Sequence, residues 1–387
     1  MKRAAGYFRY VMIYGGYYFA MALFSVLISV YLMDKGRSAV EVSFLVSAAC
    51  VMSMVFQPVI GMLQDMGNQK TVTIVVLLIS AVTGILFSGQ NTYGLLVVLY
   101  GITMALMNSA NPYIEMTATK SPFHYRSIRI WGSIGYAVGA QICGIIYEAV
   151  SPESNYYIFA VFMVLAAWGA SSVEGLNQTK DREEGKKEAG YRKAVLRNGM
   201  FWKYMILASV FYAVTNLNST YLPVYYQESG LSVTAASTVL FLATMMEVPV
   251  IFLAHLYMNR FHNTQLLWAL FAALILQFAV YVLVPVMAVR VAATVLLKAS
   301  ITMTFIMLNI KVISSIVSPR YQMSALTLVS AIGKNLTTVV MQNVSGVIVD
   351  AFTTKGLYSV LLGLVVLGFV LVWLFRIPTS EAESVTF

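Results

Sequence analysis

The 387-residue chain is 59% hydrophobic and only 11% charged, and its mean hydropathy is +0.77. Soluble globular domains carry about 25% charged residues, so this composition excludes a soluble globule and predicts an integral membrane protein. The formal net charge of +9 does not indicate a nucleic-acid partner, because the basic residues cluster on one side of the predicted membrane topology.

Apolar segments of about 20 residues follow one another along the chain, each long enough to cross about 30 Å of hydrocarbon. They predict an all-α membrane protein with twelve transmembrane helices in two six-helix pseudo-repeats. The predicted helices lie at residues 8–33, 39–63, 71–90, 92–118, 127–149, 155–175, 200–227, 233–257, 264–286, 289–314, 322–349 and 356–376. The longest polar stretch, Asn177 to Arg197, falls after the sixth helix. The predicted organisation is a bundle at 1–176, a linker at 177–198, a second bundle at 199–377 and a tail at 378–387.

Basic residues concentrate on one side of the membrane under this alternation. That side receives Lys2, Arg3, Arg9, Lys70, Lys120, Arg126, Arg260, Arg320, Arg376 and the run from Lys180 to Lys203. The opposite side has only Lys35, Arg37, Arg290 and Lys355. The positive-inside rule therefore predicts that both termini and the linker are cytoplasmic, in a multi-pass protein of the cell's inner membrane.

Two short echoes favour a duplicated six-helix unit over two unrelated bundles. Residues 58–60 at the end of the second predicted helix read Pro-Val-Ile, as do residues 249–251 in the eighth. Residues 144–149 at the end of the fifth helix read Gly-Ile-Ile-Tyr-Glu-Ala. Residues 346–351 at the end of the eleventh helix read Gly-Val-Ile-Val-Asp-Ala. Both echoes link equivalent positions of the two halves, as expected of transporters built from repeats.

The segment from Gly61 to Lys70 resembles the loop between helices 2 and 3 of the major facilitator superfamily. In that family the glycine permits close helix packing and the aspartate pairs charges at the cytoplasmic gate. The copy is one residue shorter, and Asn68 and Gln69 stand where the family usually has a basic residue. The resemblance implies a gating motif made of Gly61, Asp65, Gly67 and Lys70.

Further segments are similar to lactose permease and its oligosaccharide and phenylpropionate proton symporter relatives. These segments are 56–58, 114–115, 125–136, 258–261, 297–298 and 333–336. The resemblance implies the major facilitator fold and secondary active transport by alternating access. The energy source would be a proton gradient, with no cofactor.

The resemblance also assigns roles to individual residues, unevenly. Arg129 falls on the family's essential sugar-binding arginine, and Tyr136 falls on a sugar-stacking tryptophan. Asn111 stands where the family has the carboxylate that partners the arginine. Lys334 keeps a lysine, but its acidic partners on helix 7 are replaced by uncharged residues, and the proton-coupling histidine and glutamate of helix 10 have no counterpart. The family's proton route therefore does not carry over.

Four ionisable residues lie inside segments that otherwise read as lipid-soluble: Arg129, Glu247, Lys298 and Lys334. A charge at the bilayer centre costs about 2.5 to 3.5 kcal/mol even on lenient scales and usually serves transport. We interpret Glu247 as a proton acceptor whose pKa is tuned by burial and by the charge of Lys298 or Lys334. The alternative is a permanent ion pair of Glu247 with Lys334 that only fixes helix packing.

Polar side chains at helical spacing indicate a cavity. Tyr14 and Tyr17 on the first helix and Asn216 on the seventh are candidates for its walls, and the alternative is a set of interfacial aromatic residues. Arg129 is either a ligand contact or a membrane-surface anchor. Glu115, near the end of the fourth helix, reads more readily as a loop charge than as a substrate ligand.

The leading functional hypothesis is a proton-coupled symporter of a sugar, oligosaccharide or nucleoside. The alternative is an aromatic-acid importer or a drug or metabolite exporter of the same fold. A polytopic enzyme ranks last, because the sequence has no serine-elbow motif, metal-ligand cluster or mid-membrane histidine. We therefore expect no enzyme activity, no metal and no nucleic acid. The expected partners are a small-molecule substrate and the lipid bilayer, with the protein as a monomer.

Overall fold

The structure is a computed structural model, and it describes residues 2–66, 69–119, 121–172, 197–258, 260–317, 322–375 and 377. Within these residues every regular element is helical. The helices are α1 (Lys2–Ser25), α2 (Ile28–Asp34), α3 (Ala39–Met66), α4 (Gln69–Ser88), α5 (Tyr93–Thr119), α6 (Tyr125–Ala149), α7 (Ser154–Ser171), α8 (Gly199–Glu228), α9 (Val233–Met245), α10 (Glu247–Met258), α11 (Asn263–Leu283), α12 (Met287–Ile316), α13 (Gln322–Leu328), a π-helical segment (Val329–Leu336) and α14 (Thr337–Phe375).

Ten stretches of the described chain are long and apolar enough to cross a membrane. The all-helical membrane class is therefore confirmed. Two stretches differ from the predicted spans. Gly199–Glu228 is a continuous helix of 30 residues that is not among the ten. Val329–Phe375 counts as one stretch, although the backbone inside it breaks at Thr353 (φ 62°, ψ 179°).

The eighth predicted helix is interrupted near its centre. α9 ends at Met245 and α10 begins at Glu247. Pro249 explains the break, because it lacks the N–H that would bond the Met245 carbonyl and its ring clashes with that carbonyl. The interruption places Glu247 in the first turn of α10, where unpaired backbone N–H groups favour a negative side chain.

The chain divides into two compact units. Unit 1 comprises Met1–Asn177, Thr220–Met245 and Gln342–Asp350, and unit 2 comprises the remaining residues. Unit 1 thus contains two segments from the second predicted half. The predicted division into bundles at 1–176 and 199–377 stays a prediction, and most of the predicted linker and all of the predicted tail lie outside the described residues.

Close packing of α1 on α6 organises the part of unit 1 that contains the candidate site. A Cβ atom at Gly135 would lie 2.3 Å from the Gly15 carbonyl oxygen, and one at Gly139 would lie 2.6 Å from the Phe19 carbonyl oxygen. Small residues at these positions let the two helix backbones approach closely, as is typical of membrane helices. Further along α1, Phe24 stacks on Tyr100 with ring centroids 5.2 Å apart, which anchors α1 to α5.

In unit 2, α10 packs along α12. The Tyr257 hydroxyl on α10 lies 3.0 Å from the Thr304 hydroxyl on α12. Two turns further along α12, the Lys311 ammonium donates a 2.8 Å hydrogen bond to the carbonyl oxygen of Phe261 and also bonds that of Met258. These contacts satisfy carbonyl groups at the end of α10 and fix the helices side by side.

Candidate functional site

A single carboxylate on α5 collects hydroxyl groups from two other helices of unit 1. Glu115 Oε1 accepts hydrogen bonds from the Tyr14 hydroxyl at 2.6 Å and the Tyr18 hydroxyl at 3.1 Å. Its Oε2 accepts one from the Tyr125 hydroxyl at 3.1 Å. Hydrogen bonds to a charged acceptor are stronger than neutral ones. This tyrosine cage, defined as Glu115 with Tyr14, Tyr18 and Tyr125, joins α1, α5 and α6.

The cage follows from helical periodicity. Each of the three helices has two residues four positions apart, one or both in the cage and any other beside it, and such residues lie on one helix face. The three pairs are Tyr14 and Tyr18 on α1, Asn111 and Glu115 on α5, and Tyr125 and Arg129 on α6. Because α5 continues to Thr119, Glu115 is a half-buried helix residue. The expectation that it is a loop charge was wrong.

Arg129 lies against the aromatic wall of the cage. Its Cζ atom is 6.0 Å from the ring centroid of Tyr14 and 6.0 Å from that of Tyr18, a distance at which a cation is attracted by a ring face. It also interacts electrostatically with Glu115. A Cβ atom at Gly132 would lie 2.4 Å from Tyr14 Cε1, so the small residue one turn after Arg129 leaves room for the Tyr14 ring.

Tyr125 remains a hydrogen-bond donor at neutral pH. It precedes the apolar span Ser127–Ala149. Burial, followed by the charge of the Glu115 carboxylate, raises the pKa of the Tyr125 hydroxyl above its ordinary value. A protonated phenol and an ionised carboxylate are the complementary forms for this bond.

The other predicted substrate residues of unit 1 fall into different environments. Asn111 Oδ1 accepts a hydrogen bond from the Tyr18 hydroxyl at 3.0 Å, so it adjoins the cage. Tyr17 is fully buried, and its hydroxyl donates 2.8 Å to the Met107 carbonyl oxygen. This bond supports the packing of α1 on α5, and we leave Tyr17 out of the proposed site. Tyr136 lies two turns along α6 from Arg129 and is half-buried.

The candidate coupling residues Glu247 and Lys298 lie on the neighbouring helices α10 and α12 of unit 2. Glu247 begins α10 and Lys298 lies on α12. Both side chains are half-buried, and the two charges interact electrostatically.

Lys334 lies on the π-helical segment, with an exposed side chain. Such segments occur as single turns within helices and are frequent at functional sites. The Lys334 carbonyl oxygen accepts a 2.6 Å bond from the Thr338 hydroxyl. Asn216 on α8 donates 2.6 Å to the same hydroxyl, so Asn216 connects α8 to the turn that follows Lys334.

The gating motif is described only in part. Gly61 lies on α3, where an added Cβ atom would meet no described atom within 4 Å. The close helix packing that the family resemblance implied at Gly61 is therefore not found among the described residues. Lys70 is half-buried in the first turn of α4. The side chain of Asp65 and the whole of Gly67 lie outside the described residues.

The helices and their polar residues define a multi-pass membrane protein of the transporter class. The sequence model described as "MFS_1 like family" matches residues 7–360. The chain therefore belongs to this family, which consists of major facilitator transporters and not of enzymes.

The relatives include transporters of known and unknown substrate. The chain is 24% identical over 315 residues to the uncharacterized transporter YwbF of Bacillus subtilis (strain 168), covering 79% of this chain and 77% of the relative. It is 23% identical over 264 residues to the maltose permease of Geobacillus stearothermophilus, covering 67% and 66% of the two chains. It is 27% identical over 143 residues to the lactose permease of Klebsiella oxytoca, covering 33% and 34%.

Solved structures share the fold. The nucleoside transporter NupG superposes with a TM-score of 0.79 at 16% identity, over 96% of this chain and 98% of that one. The D-xylose-proton symporter superposes with a TM-score of 0.72 at 15% identity, over 98% and 99%. The predicted all-helical fold, similar to that of major facilitator transporters, is thus confirmed, and the twelve spans in two six-helix repeats stay a prediction.

Proposed function

We propose that this protein is a proton-coupled symporter that carries a sugar, oligosaccharide or nucleoside by alternating access. The observation that carries the proposal is the tyrosine cage with Arg129, which gathers hydrogen-bonding groups and aromatic faces on membrane-spanning helices. Polar groups inside a membrane are costly and mark substrate pathways. The relatives named as maltose and lactose permeases, and the fold neighbours named as nucleoside and xylose transporters, support a polar solute.

The proposed topology has twelve spans with both termini in the cytoplasm. Ten apolar stretches are supplemented by α8, whose polar Thr215, Asn216 and Asn218 lower its hydropathy. The break at Thr353 divides the longest stretch into two spans. The distribution of basic residues supports this orientation, in the inner membrane.

Arg129 and the tyrosine faces provide the proposed substrate contacts. A guanidinium donates several hydrogen bonds in a plane, which suits the hydroxyl oxygens of a sugar. An aromatic face packs against the C–H face of the sugar ring. A second candidate, import of an aromatic acid, is favoured by the same cation beside Tyr14 and Tyr18, because a guanidinium pairs strongly with a carboxylate.

Glu247 is the proposed proton acceptor, with Lys298 as its electrostatic partner. While Glu247 is ionised, the two charges stabilise each other across α10 and α12. Protonation removes that attraction and leaves a half-buried ammonium without its stabilising charge, which is unfavourable. Proton uptake therefore biases the packing of these helices, as coupling requires.

Uptake into proteoliposomes tests the proposal. Purified protein is reconstituted, an inside-alkaline pH gradient is imposed, and radiolabelled sugars, nucleosides and aromatic acids are compared. We expect one class to accumulate with the gradient and to leak out when a protonophore is added. Gradient-independent uptake would contradict proton coupling, and accumulation of aromatic acids alone would replace the sugar assignment with the second candidate.

A further inference from the structure

Two carboxylates at equivalent positions of the two halves cap the beginnings of helices. Asp350 on α14 accepts hydrogen bonds from the first two backbone N–H groups of α3, with Oδ1 2.7 Å from Ala39 N and Oδ2 3.1 Å from Val40 N. Glu148 near the end of α6 accepts a bond from the first N–H group of α9, with Oε1 2.7 Å from Val233 N. Both contacts lie within unit 1.

The match extends to the residues that surround each carboxylate. A glycine stands four positions before each acid, and each glycine faces a serine four positions after the capped residue. A Cβ atom at Gly346 would lie 2.6 Å from Ser43 Oγ, and one at Gly144 would lie 2.3 Å from Ser237 Oγ. The sequence echo of residues 144–149 and 346–351 thus marks two copies of one helix contact.

The first turn of α3 has backbone N–H groups that Asp350 can satisfy. The first four N–H groups of a helix have no partner within it. Ser38 N bonds Glu41 Oε2 at 3.0 Å and Glu41 N bonds Ser38 Oγ at 3.2 Å, which is a capping box. The two N–H groups that the box leaves open, those of Ala39 and Val40, are the ones that Asp350 accepts.

The start of α9 follows the same scheme. Ala235 N bonds Ser232 Oγ at 3.2 Å, and Glu148 accepts from the backbone of Val233 and Thr234. The Thr234 hydroxyl also donates 3.1 Å to the Gly144 carbonyl oxygen. In both copies a helix of one half therefore completes the cap of a helix from the other half.

We propose that these two contacts, Asp350 on α3 and Glu148 on α9, are paired carboxylate latches that hold one end of the transport path closed. The inference rests on the proposed alternating access, and the proposed topology places this end outside the cell. Both acids are exposed, so each latch has the modest strength of a surface helix cap. Two weak equivalent latches favour the closed state while still permitting opening within a transport cycle.

The test measures opening directly, without substrate. Ser47 is buried and accepts a 2.9 Å bond from Asn343, one turn beyond Ser43 along α3. Ser47→Cys in a Cys50→Ser/Cys143→Ala background provides a reporter thiol, whose alkylation by an impermeant maleimide is timed in right-side-out vesicles. We expect labelling to be about 3- to 10-fold faster in Glu148→Ala or Asp350→Ala, and about 10- to 100-fold faster in the double variant.

Controls separate latch opening from misfolding and from loss of transport. Glu153→Gln is the matched control, since Glu153 pairs with Lys35 at 3.7 Å and is the residue just before α7, and it should label like the parent. Glu148→Gln and Asp350→Asn, which keep an acceptor oxygen, should fall between the parent and the alanine variants. If a folded double alanine variant is labelled at the parent's rate, the latch proposal is wrong, whatever the uptake assay shows. Absent uptake with accelerated labelling would instead contradict the proposed transport alone.

Discussion

Replacing Glu115 with glutamine removes the charge that organises the tyrosine cage. Three tyrosine hydroxyls donate to this carboxylate, at 2.6, 3.1 and 3.1 Å. A hydrogen bond to a charged group contributes about 1.5 to 3 kcal/mol and a neutral one about 0.5 to 1.5 kcal/mol. The change therefore weakens the two bonds at one oxygen by about 1 kcal/mol each and, because an amide nitrogen cannot accept a hydrogen bond, removes the third at a cost of at least about 1 kcal/mol, or about 3 kcal/mol in all. The amide group also no longer balances the charge of Arg129.

If the cage positions the substrate contacts, this loss appears in transport. About 3 kcal/mol corresponds to roughly 100-fold, so we expect kcat/KM for uptake to fall by up to about 100-fold. Initial uptake rates at several substrate concentrations measure it, with the melting temperature in detergent as the folding check. Tyr14→Phe, which deletes the 2.6 Å bond to Glu115, should lower kcat/KM by about 10-fold, in keeping with about 1.4 kcal/mol.

Two controls test whether the effect belongs to the cage. Glu153→Gln breaks an ion pair of 3.7 Å between partly exposed side chains, a kind of pair that contributes about 0 to 1 kcal/mol. Tyr93→Phe deletes a tyrosine hydrogen bond of 2.8 Å to the Glu41 carbonyl oxygen, away from the cage. Both variants should transport like the parent. Normal uptake by folded Glu115→Gln would refute the role assigned to the cage.

Three further changes have expected outcomes. Arg129→Lys keeps the charge but loses the planar donor group, so it should abolish ligand-induced thermal stabilisation; a full response would make Arg129 an anchor. Glu247→Gln should remove the dependence of uptake on the pH gradient, and unchanged dependence would exclude Glu247 as the proton acceptor. Thr353→Gly should raise the melting temperature, because a φ of 62° with a ψ of 179° is essentially restricted to glycine and costs about 1 to 3 kcal/mol otherwise. Thr354→Gly, at a buried position, should lower it.

Hydropathy predicts the fold well because spanning helices are long and continuous. The fifth predicted helix at 127–149 corresponds to α6 at Tyr125–Ala149, and the ninth at 264–286 corresponds to α11 at Asn263–Leu283. The interruptions inside apolar segments were not predicted. Pro249 carried a readable signal for the break before Glu247. The π-helical turn at Val329–Leu336 has no comparable signal in the residue pattern, because its apolar residues serve an α-helix equally well.

On α5, the site residue predicted from the sequence lies one helical turn before the residue that contacts the tyrosines. Asn111 was singled out by resemblance, whereas the carboxylate that contacts the tyrosines is Glu115, four residues later. The spacing of four places both on one face, and this was the signal that could have identified Glu115. Its position near the predicted end of the fourth helix suggested a loop charge. Tyr18 was missed for a different reason: Tyr17 and Tyr18 are adjacent and both contact α5, and only packing decides which hydroxyl reaches Glu115.

The position of Glu115 also changes which charged residues are partners in each unit. The family resemblance placed Asn111 where the carboxylate partner of the arginine is expected. The structure instead keeps an acid near Arg129 in unit 1, and Glu247 near Lys298 is a separate acid and base in unit 2. Each of these charges has an opposite charge nearby, which lowers the cost of its burial. The proposed substrate contacts in unit 1 and the proposed proton acceptor in unit 2 therefore each have a charge partner within their own unit.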